Sequence, residues 1–494
     1  MNNNNINNLR ERILGCWLGK AIGGTLGAPF EGVEEQLNIK YYSPIPTEMV
    51  ANDDLDLQIV WANVLNRLNP VRVDRHILAQ TWVDHIKFYP DEYGVALRNI
   101  ALGLKPPLTG SYDNYFINSI GAAIRSEIWA CLAAGDPALA AAYAYEDACV
   151  DHAEEGIWAE VFWAAIESAA FIESNQHQLL ETGLSFLPKT SMIRQIIINI
   201  IAWWHQHSDW QYVRQLILTH YGNGNFTDAL VNIAFMVLGW LAGNGNFGES
   251  ICIAVNCGMD TDCTGASLAA LLGILNPQSI DEQWQKPIGR GLVLSPEIFG
   301  IKPPASIDAF TDLILNLRER LNYCYPAIKK EEQSIDSLAI HAELGFLNQY
   351  LCRTITSKNE PAWSMPTDSC PVSFSGTIVE LDYKSLRYPT IMVKYKIKIS
   401  KQQLVKIMFN TPEMCIVWID GQFAFRYDQG GLWLPSFNRQ PLNDKCILTL
   451  DAGTHEIIAA ISRPATPSSL KWAIGVADAR TNAWLPDVFE RRKI

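Results

Sequence analysis

The sequence predicts a multidomain protein: an all-α domain followed by an all-β sandwich. Three observations carry this. A chain of 494 residues is too long for one ordinary core. Up to about residue 330, apolar residues recur at helical spacing. Beyond about residue 370 they alternate with a period near two, between turn residues.

Taken in order, residues 1–8 read as a disordered Asn-rich tail and 9–330 as the helical domain. Helices are expected over Asp54–Asn66, Ala138–Cys149, Ile157–Phe171, Met192–Trp204 and Asp228–Leu241, among roughly ten in all. Asp136-Pro137 opens one alanine-rich run, and Asn276-Pro277 stops another, Ala266–Leu275. Residues 331–370 read as one further helix, Ile335–Leu351, and a linker. In 371–494, strands are expected over Thr390–Ile399, Leu404–Phe409, Cys415–Ile419, Cys446–Leu450 and Glu456–Ser462, with turns at Asp420-Gly421 and Asp451-Ala452-Gly453.

Composition narrows the function classes. Apolar residues make up 48% and charged residues 18%, which suits packed domains. A net charge of −13 argues against a nucleic-acid surface, which needs clustered Lys and Arg. The longest apolar candidate, Ala229–Gly243, is too short to span a bilayer. Eleven scattered cysteines without CxxC spacing read as reduced thiols, and the N-terminal stretch lacks the pattern of an export signal. A cytoplasmic location is expected.

Three acidic constellations carry the chemistry. Gly23–Gly32 is a glycine-rich segment whose Pro29 pins a turn that aims Glu31. Asn52-Asp53-Asp54-Leu55-Asp56 precedes an amphipathic helix; helix capping explains one acid there, not three that repel one another. A divalent cation with hard oxygen ligands would relieve that repulsion. Asp260-Thr261-Asp262 lies between two apolar runs, so its carboxylates are expected to be buried and to need partners. In an extended turn both would point to one side and grip one metal or bridge two. Asp151-His152-Ala153-Glu154-Glu155 is a further, weaker feature.

Together GGTLGAPFE, NDDLD and GMDTDC, in that order over about residues 9–300, resemble the ADP-ribosylglycohydrolase family. Its members carry segments like GDALGxPxE, TDDT and GGDTDT. The resemblance implies an all-α fold of orthogonally packed helices around two Mg²⁺ or Mn²⁺ ions. Asn52, Asp53 and Asp54 would act as ligands from one loop, and Asp260 and Asp262 from the other. Glu31 would sit near the scissile bond as general acid or water-orienting base, with Asp260 or Asp262 positioning the water. Ser119, Gly121 and His152 match substrate-binding positions. The implied substrate is an ADP-ribosylated protein. The alternatives are a furanosidase or nucleoside-type hydrolase acting on a small ribofuranoside, and a non-catalytic nucleotide-binding or structural member of the family.

Some residues depart from the family pattern. Gly24 stands where the opening segment has Asp, Asn52 and Leu55 where TDDT has Thr, and Cys263 where a Thr ligand follows the second DTD. Sulfur is a poor partner for Mg²⁺, which leaves Thr264 as a substitute ligand, a different metal, a single-metal site or a changed substrate as readings of this departure. The sandwich resembles the jelly-roll modules appended to carbohydrate-active enzymes through Cys415–Gln422 and Leu448–Glu456. Its Trp418, Trp433 and Trp472 are expected in core or interdomain packing.

Overall fold

The structure is a computed structural model that describes residues 3–323, 325–326, 333–348, 364–382, 388–427, 432–439, 444–462 and 469–491. Among these, sixteen α-helices lie between Asn3 and Glu319, and ten strands between Ile340 and Asp478. They form two compact units, one of residues 1–87 and 117–328, the other of 88–116 and 329–494.

The helical unit is organised by two helices, Asn3–Gly27 and Thr261–Leu275. Small residues line their contact. Gly15 faces Gly273, Gly19 faces Ala269, Gly23 faces Gly265 and Gly27 faces Thr261, with backbone so near that a Cβ on any of these four glycines would collide with a carbonyl. Spacing by four puts the glycines on one stripe, and only their missing side chains permit this approach. The Asn-rich start, expected as a disordered tail over 1–8, is helical from Asn3. Arg12 Nε donates to Asn8 Oδ1 at 2.9 Å, one turn back, which ties that end to the helix.

The second unit holds two antiparallel sheets. Its strands are β1 (Ile340–Leu347), β2 (Cys370–Phe374), β3 (Ile378–Asp382), β4 (Thr390–Ile399) and β5 (Gln403–Asn410), then β6 (Met414–Ile419), β7 (Gln422–Tyr427), β8 (Lys445–Leu450), β9 (Gly453–Ser462) and β10 (Ser469–Asp478). One sheet runs β2-β1-β4-β9-β6-β7 and the other β3-β10-β5-β8. Alternate residues of both meet in one core that includes Ile391, Val393 and Tyr395 opposite Val405, Ile407 and Trp472. Trp418 and Trp472 are buried in it or beside it, and half-buried Trp433 meets Tyr115 edge-on at 5.8 Å.

Two expectations are corrected here. The helix over Ile335–Leu351 is not formed; β1 occupies Ile340–Leu347, and positions 349–351 with most of the linker lie outside the described residues. Ile340 and Leu344 satisfy a period of two as well as four, and pairing with β4 decides, with Lys394 Nζ 2.5 Å from Glu343. Residues 88–116, read as part of the helical domain, cluster with the strands instead. Their acids find partners there: Asp113 accepts from the Thr377 and Ile378 backbone at 2.8 Å, and Arg439 Nη2 lies 2.6 Å from Asp91.

Candidate metal centre

Three chain segments build the site, all in the helical unit. Beyond the first helix, Gly32 adopts φ +78° and its N–H donates to the Met259 carbonyl at 2.9 Å. Met259 N–H donates back to Val33 O at 2.7 Å, so a two-residue antiparallel bridge sets Glu31 beside Asp260. Gly258 and Met259 both have positive φ, 76° and 68°. A non-glycine there stores strain, and the sharp turn it makes delivers Asp260 at the start of the Thr261–Leu275 helix.

Capping distinguishes the acids that matter. Asp74, Asp136, Asp209 and Asp228 each cap a helix by accepting a backbone N–H. Asp260 occupies the same position and its side chain makes no capping bond. Asp262 lies in the first helical turn, so the pair converges at a helix start rather than in the extended turn expected. At the Asp53–Leu65 helix, Asn52 does the capping, accepting from Asp54 N at 2.7 Å, so none of the acids behind it serves as the cap.

The segments meet. Asn52 Nδ2 donates to Asp262 Oδ2 at 2.9 Å. Ligand atoms of Asp54, Asp262 and Cys263 lie within 4.8 Å of one another, as do those of Glu31, Asp260 and Asp262, so Asp262 belongs to both groups. Glu31 is exposed while the other four residues are buried. Asp260 Oδ1 and Asp262 Oδ1 are buried without a hydrogen bond. Burial, with Glu31 and Asp54, pushes the Asp262 carboxyl up to about 7. Burial, with Asp262 and Glu31, raises Asp260 well above the usual carboxylate range. Orphaned buried oxygens and mutually repelling acids fit a divalent cation, which would satisfy the oxygens and neutralise the charge.

Asp53, half-buried, belongs to neither group, although its charge acts on Cys263. Ser119, Gly121 and His152 are buried, and His152 belongs to neither group. The Gly121 carbonyl accepts from Arg125 Nη1 at 2.6 Å, and His152 Nδ1 lies 2.9 Å from Asp151, itself 2.6 Å from Arg125. Burial alone would raise Asp151, but Arg125 and His152 outweigh it and hold the carboxyl below its ordinary value. Ser119 is linked to the centre indirectly. It bridges to Asp228, whose carbonyl accepts from Asn232, and Asn232 Oδ1 accepts from Asp260 N at 3.2 Å.

One residue escaped the sequence reading. Lys20 Nζ, fully buried, lies 2.9 Å from Asp54 Oδ1 and donates to Glu127 Oε1 at 2.8 Å and Ser267 Oγ at 3.0 Å. Burial works against its charge, but Asp54 and Glu127 outweigh that and hold Lys20 above its ordinary value. It fixes the Asp54 carboxylate from behind. The available signal was a single cation within the apolar, glycine-rich stretch Ile13–Gly27 of that helix.

A family model described as ADP-ribosylglycohydrolase matches residues 5–319, well over half of the chain. The chain belongs to the ADP-ribosylglycohydrolase family. Among solved structures, a chain from an "ADP-ribosylglycohydrolase-related protein complex" is similar at 20% identity and a TM-score of 0.44, covering 64% of this chain and 99% of that one. An alpha-xylosidase from Xanthomonas citri is 15% identical over 31% of this chain and 15% of its own, at a TM-score of 0.17. A beta-glucosidase from Kluyveromyces marxianus is 11% identical over 38% and 24%, at 0.19. No curated protein matches. This ADP-ribosylglycohydrolase family member thus places the three acidic constellations within the matched segment, in one site. Among the described residues, no helix is long and apolar enough to cross a membrane.

Proposed function

We propose that this chain is a divalent-metal-dependent hydrolase that cleaves the anomeric ribose bond of an ADP-ribosylated substrate. The convergence of Glu31, Asp54, Asp260 and Asp262 from three distant segments is the observation that carries the reading. Asp54, Asp260 and Asp262 would hold Mg²⁺ or Mn²⁺, with Asn52 orienting Asp262 through its amide. Bound cations supply a rigid grip on vicinal ribose hydroxyls and screen the carboxylates from one another.

The protein's own side chains do the rest. Asp260 and Asp262, held on a rigid helix start, orient the water that attacks the anomeric carbon. Their negative charge stabilises the oxocarbenium-like transition state. Glu31 is the exposed member, on a loop that can meet substrate, and passes a proton to or from the reacting oxygens. Asp53, Ser119, Gly121 and His152 stay in the proposal as supporting residues around that centre. Among the described residues the cysteines are unpaired and mostly buried, which supports a cytoplasmic setting.

The test is release of ADP-ribose from peptides modified on arginine or serine, by the full chain with Mg²⁺ or Mn²⁺. Release that stops with chelator and in Asp262→Asn supports the reading. Turnover of a simple ribofuranoside with none of the ADP-ribosyl peptide would move the substrate to that class. No turnover of either, with metal bound, would overturn the catalytic role.

A further inference from the structure

The two ligand groups that share Asp262 differ in chemistry. Glu31, Asp260 and Asp262 offer only oxygen, whereas Asp54, Asp262 and Cys263 offer two carboxylates and a sulfur. Oxygen-only sets suit Mg²⁺ or Mn²⁺, and a thiolate beside carboxylates suits a borderline ion such as Zn²⁺ or Co²⁺. We propose that Cys263 ligates through its sulfur, so that the Asp54 side of the centre selects a zinc-like ion while the Glu31 side keeps a hard one. This rests on the reading of these carboxylates as a metal centre.

Three observations single out the sulfur. Cys263 is 6% exposed and lies in the first turn of the Thr261–Leu275 helix, directly after Asp262. The hydroxyls around it are committed elsewhere: Thr264 Oγ1 donates to Thr261 O at 3.2 Å, and Thr261 Oγ1 donates to Gly27 O at 2.8 Å. Both hydroxyl protons are thus engaged with backbone carbonyls, while the Cys263 sulfur lies with the Asp54 and Asp262 carboxylates. Meanwhile Asp54 Oδ2 and Asp262 Oδ1, on residues 1% and 5% exposed, accept no hydrogen bond. Lys20 holds the other Asp54 oxygen, which leaves Oδ2 for a ligand.

Ligation is a simple exchange. The S–H bond breaks, a sulfur–metal bond forms, and the proton leaves to solvent, with no change of oxidation state. The same ion in an oxygen-only variant would lose its softest ligand. Even partners beyond the ligand shell are worth roughly 10–100-fold in affinity, so losing this ligand costs at least about tenfold for Zn²⁺. Mg²⁺, indifferent to sulfur, would lose nothing.

The experiment is a Co²⁺ titration of the chelator-stripped full chain, followed by absorption and equilibrium dialysis. A saturable near-ultraviolet sulfur-to-cobalt charge-transfer band is expected, absent in Cys263→Thr while the visible cobalt bands remain. Equilibrium dialysis should show Zn²⁺ bound by the wild-type chain at least about tenfold more tightly than by the variant, with Mg²⁺ binding equal in the two. Cobalt bound without that band, or a band that survives Cys263→Thr, overturns sulfur ligation and leaves the metal centre standing. No cobalt, Mn²⁺ or Mg²⁺ bound at all overturns the centre and the proposal with it. Should Cys263→Thr fail to fold by circular dichroism, Cys263→Ser and Cys263→Ala carry the same comparison.

Discussion

Asn52 and Asp262, 210 positions apart, are joined by a 2.9 Å hydrogen bond from amide to carboxylate. Asn52 also caps its own helix, so one side chain fixes both acidic segments relative to each other. Asn52→Ala should lose a cap worth about 1 kcal/mol and a bond to a charged group worth about 1.5–3 kcal/mol. Asn52→Asp is the sharper probe, because it sets a second carboxylate against Asp262. Its metal-free melting temperature should fall, and added Mg²⁺ or Mn²⁺ should recover more of it than in wild type. Equal metal responses in the two chains would contradict this.

Lys20→Met should be among the most damaging single changes. It leaves Asp54 and Glu127 buried without their cation, and breaking a buried pair in this way costs about 3–5 kcal/mol. Chemical denaturation would measure the loss, which cation binding to Asp54 should partly offset. A change below about 1 kcal/mol would mean that the pair is not buried as described.

Glycine substitutions test the helix contact that aligns Glu31 with Asp260. A Cβ on Gly23 would run into the Gly265 carbonyl, so Gly23→Ala should cost about 1–3 kcal/mol and weaken metal binding. Gly291 has open space around its Cβ direction, and Gly291→Ala is expected to be neutral within about 0.5 kcal/mol. Thermal melts of the two variants side by side provide the check.

Acidity gives a fourth test. Asp262 is pushed up to about 7 by burial, Glu31 and Asp54, so the folded chain holds a proton that the unfolded chain has already lost. Its contribution to metal-free stability is complete below about pH 4 and disappears as pH rises through about 7. A cation takes the ionised form and expels that proton, so its stabilising effect should grow across the same window. The melting temperature of wild type relative to Asp262→Asn, without metal, should therefore fall from about pH 5 to about pH 8. A flat or rising difference would refute the assignment.

The helices and central strands were legible because their patterns are local. The expected strand Thr390–Ile399 is observed with those bounds, and Met192–Trp204 is extended only to His207. Ile340–Leu347 was not legible as a strand, since Ile340 and Leu344 fit either period until β4 provides a partner. Lys20 stands out along the chain only as a cation in an apolar stretch, and its pairing was illegible for a related reason. Its partner Glu127 lies 107 positions away, and no local pattern reports a buried ion pair.

By itself, the sequence determined the two classes of domain and which acids were too crowded to be ordinary helix caps. Periodicity and like-charge repulsion act between near neighbours and can be read along the chain. Only the tertiary structure decided that Asp262 belongs to both ligand groups, that Cys263 joins Asp54, and that Asp53 stands outside. Those distances depend on how closely the helices carrying Gly23 and Gly265 approach, and that approach is set by packing across more than two hundred residues rather than by local spacing.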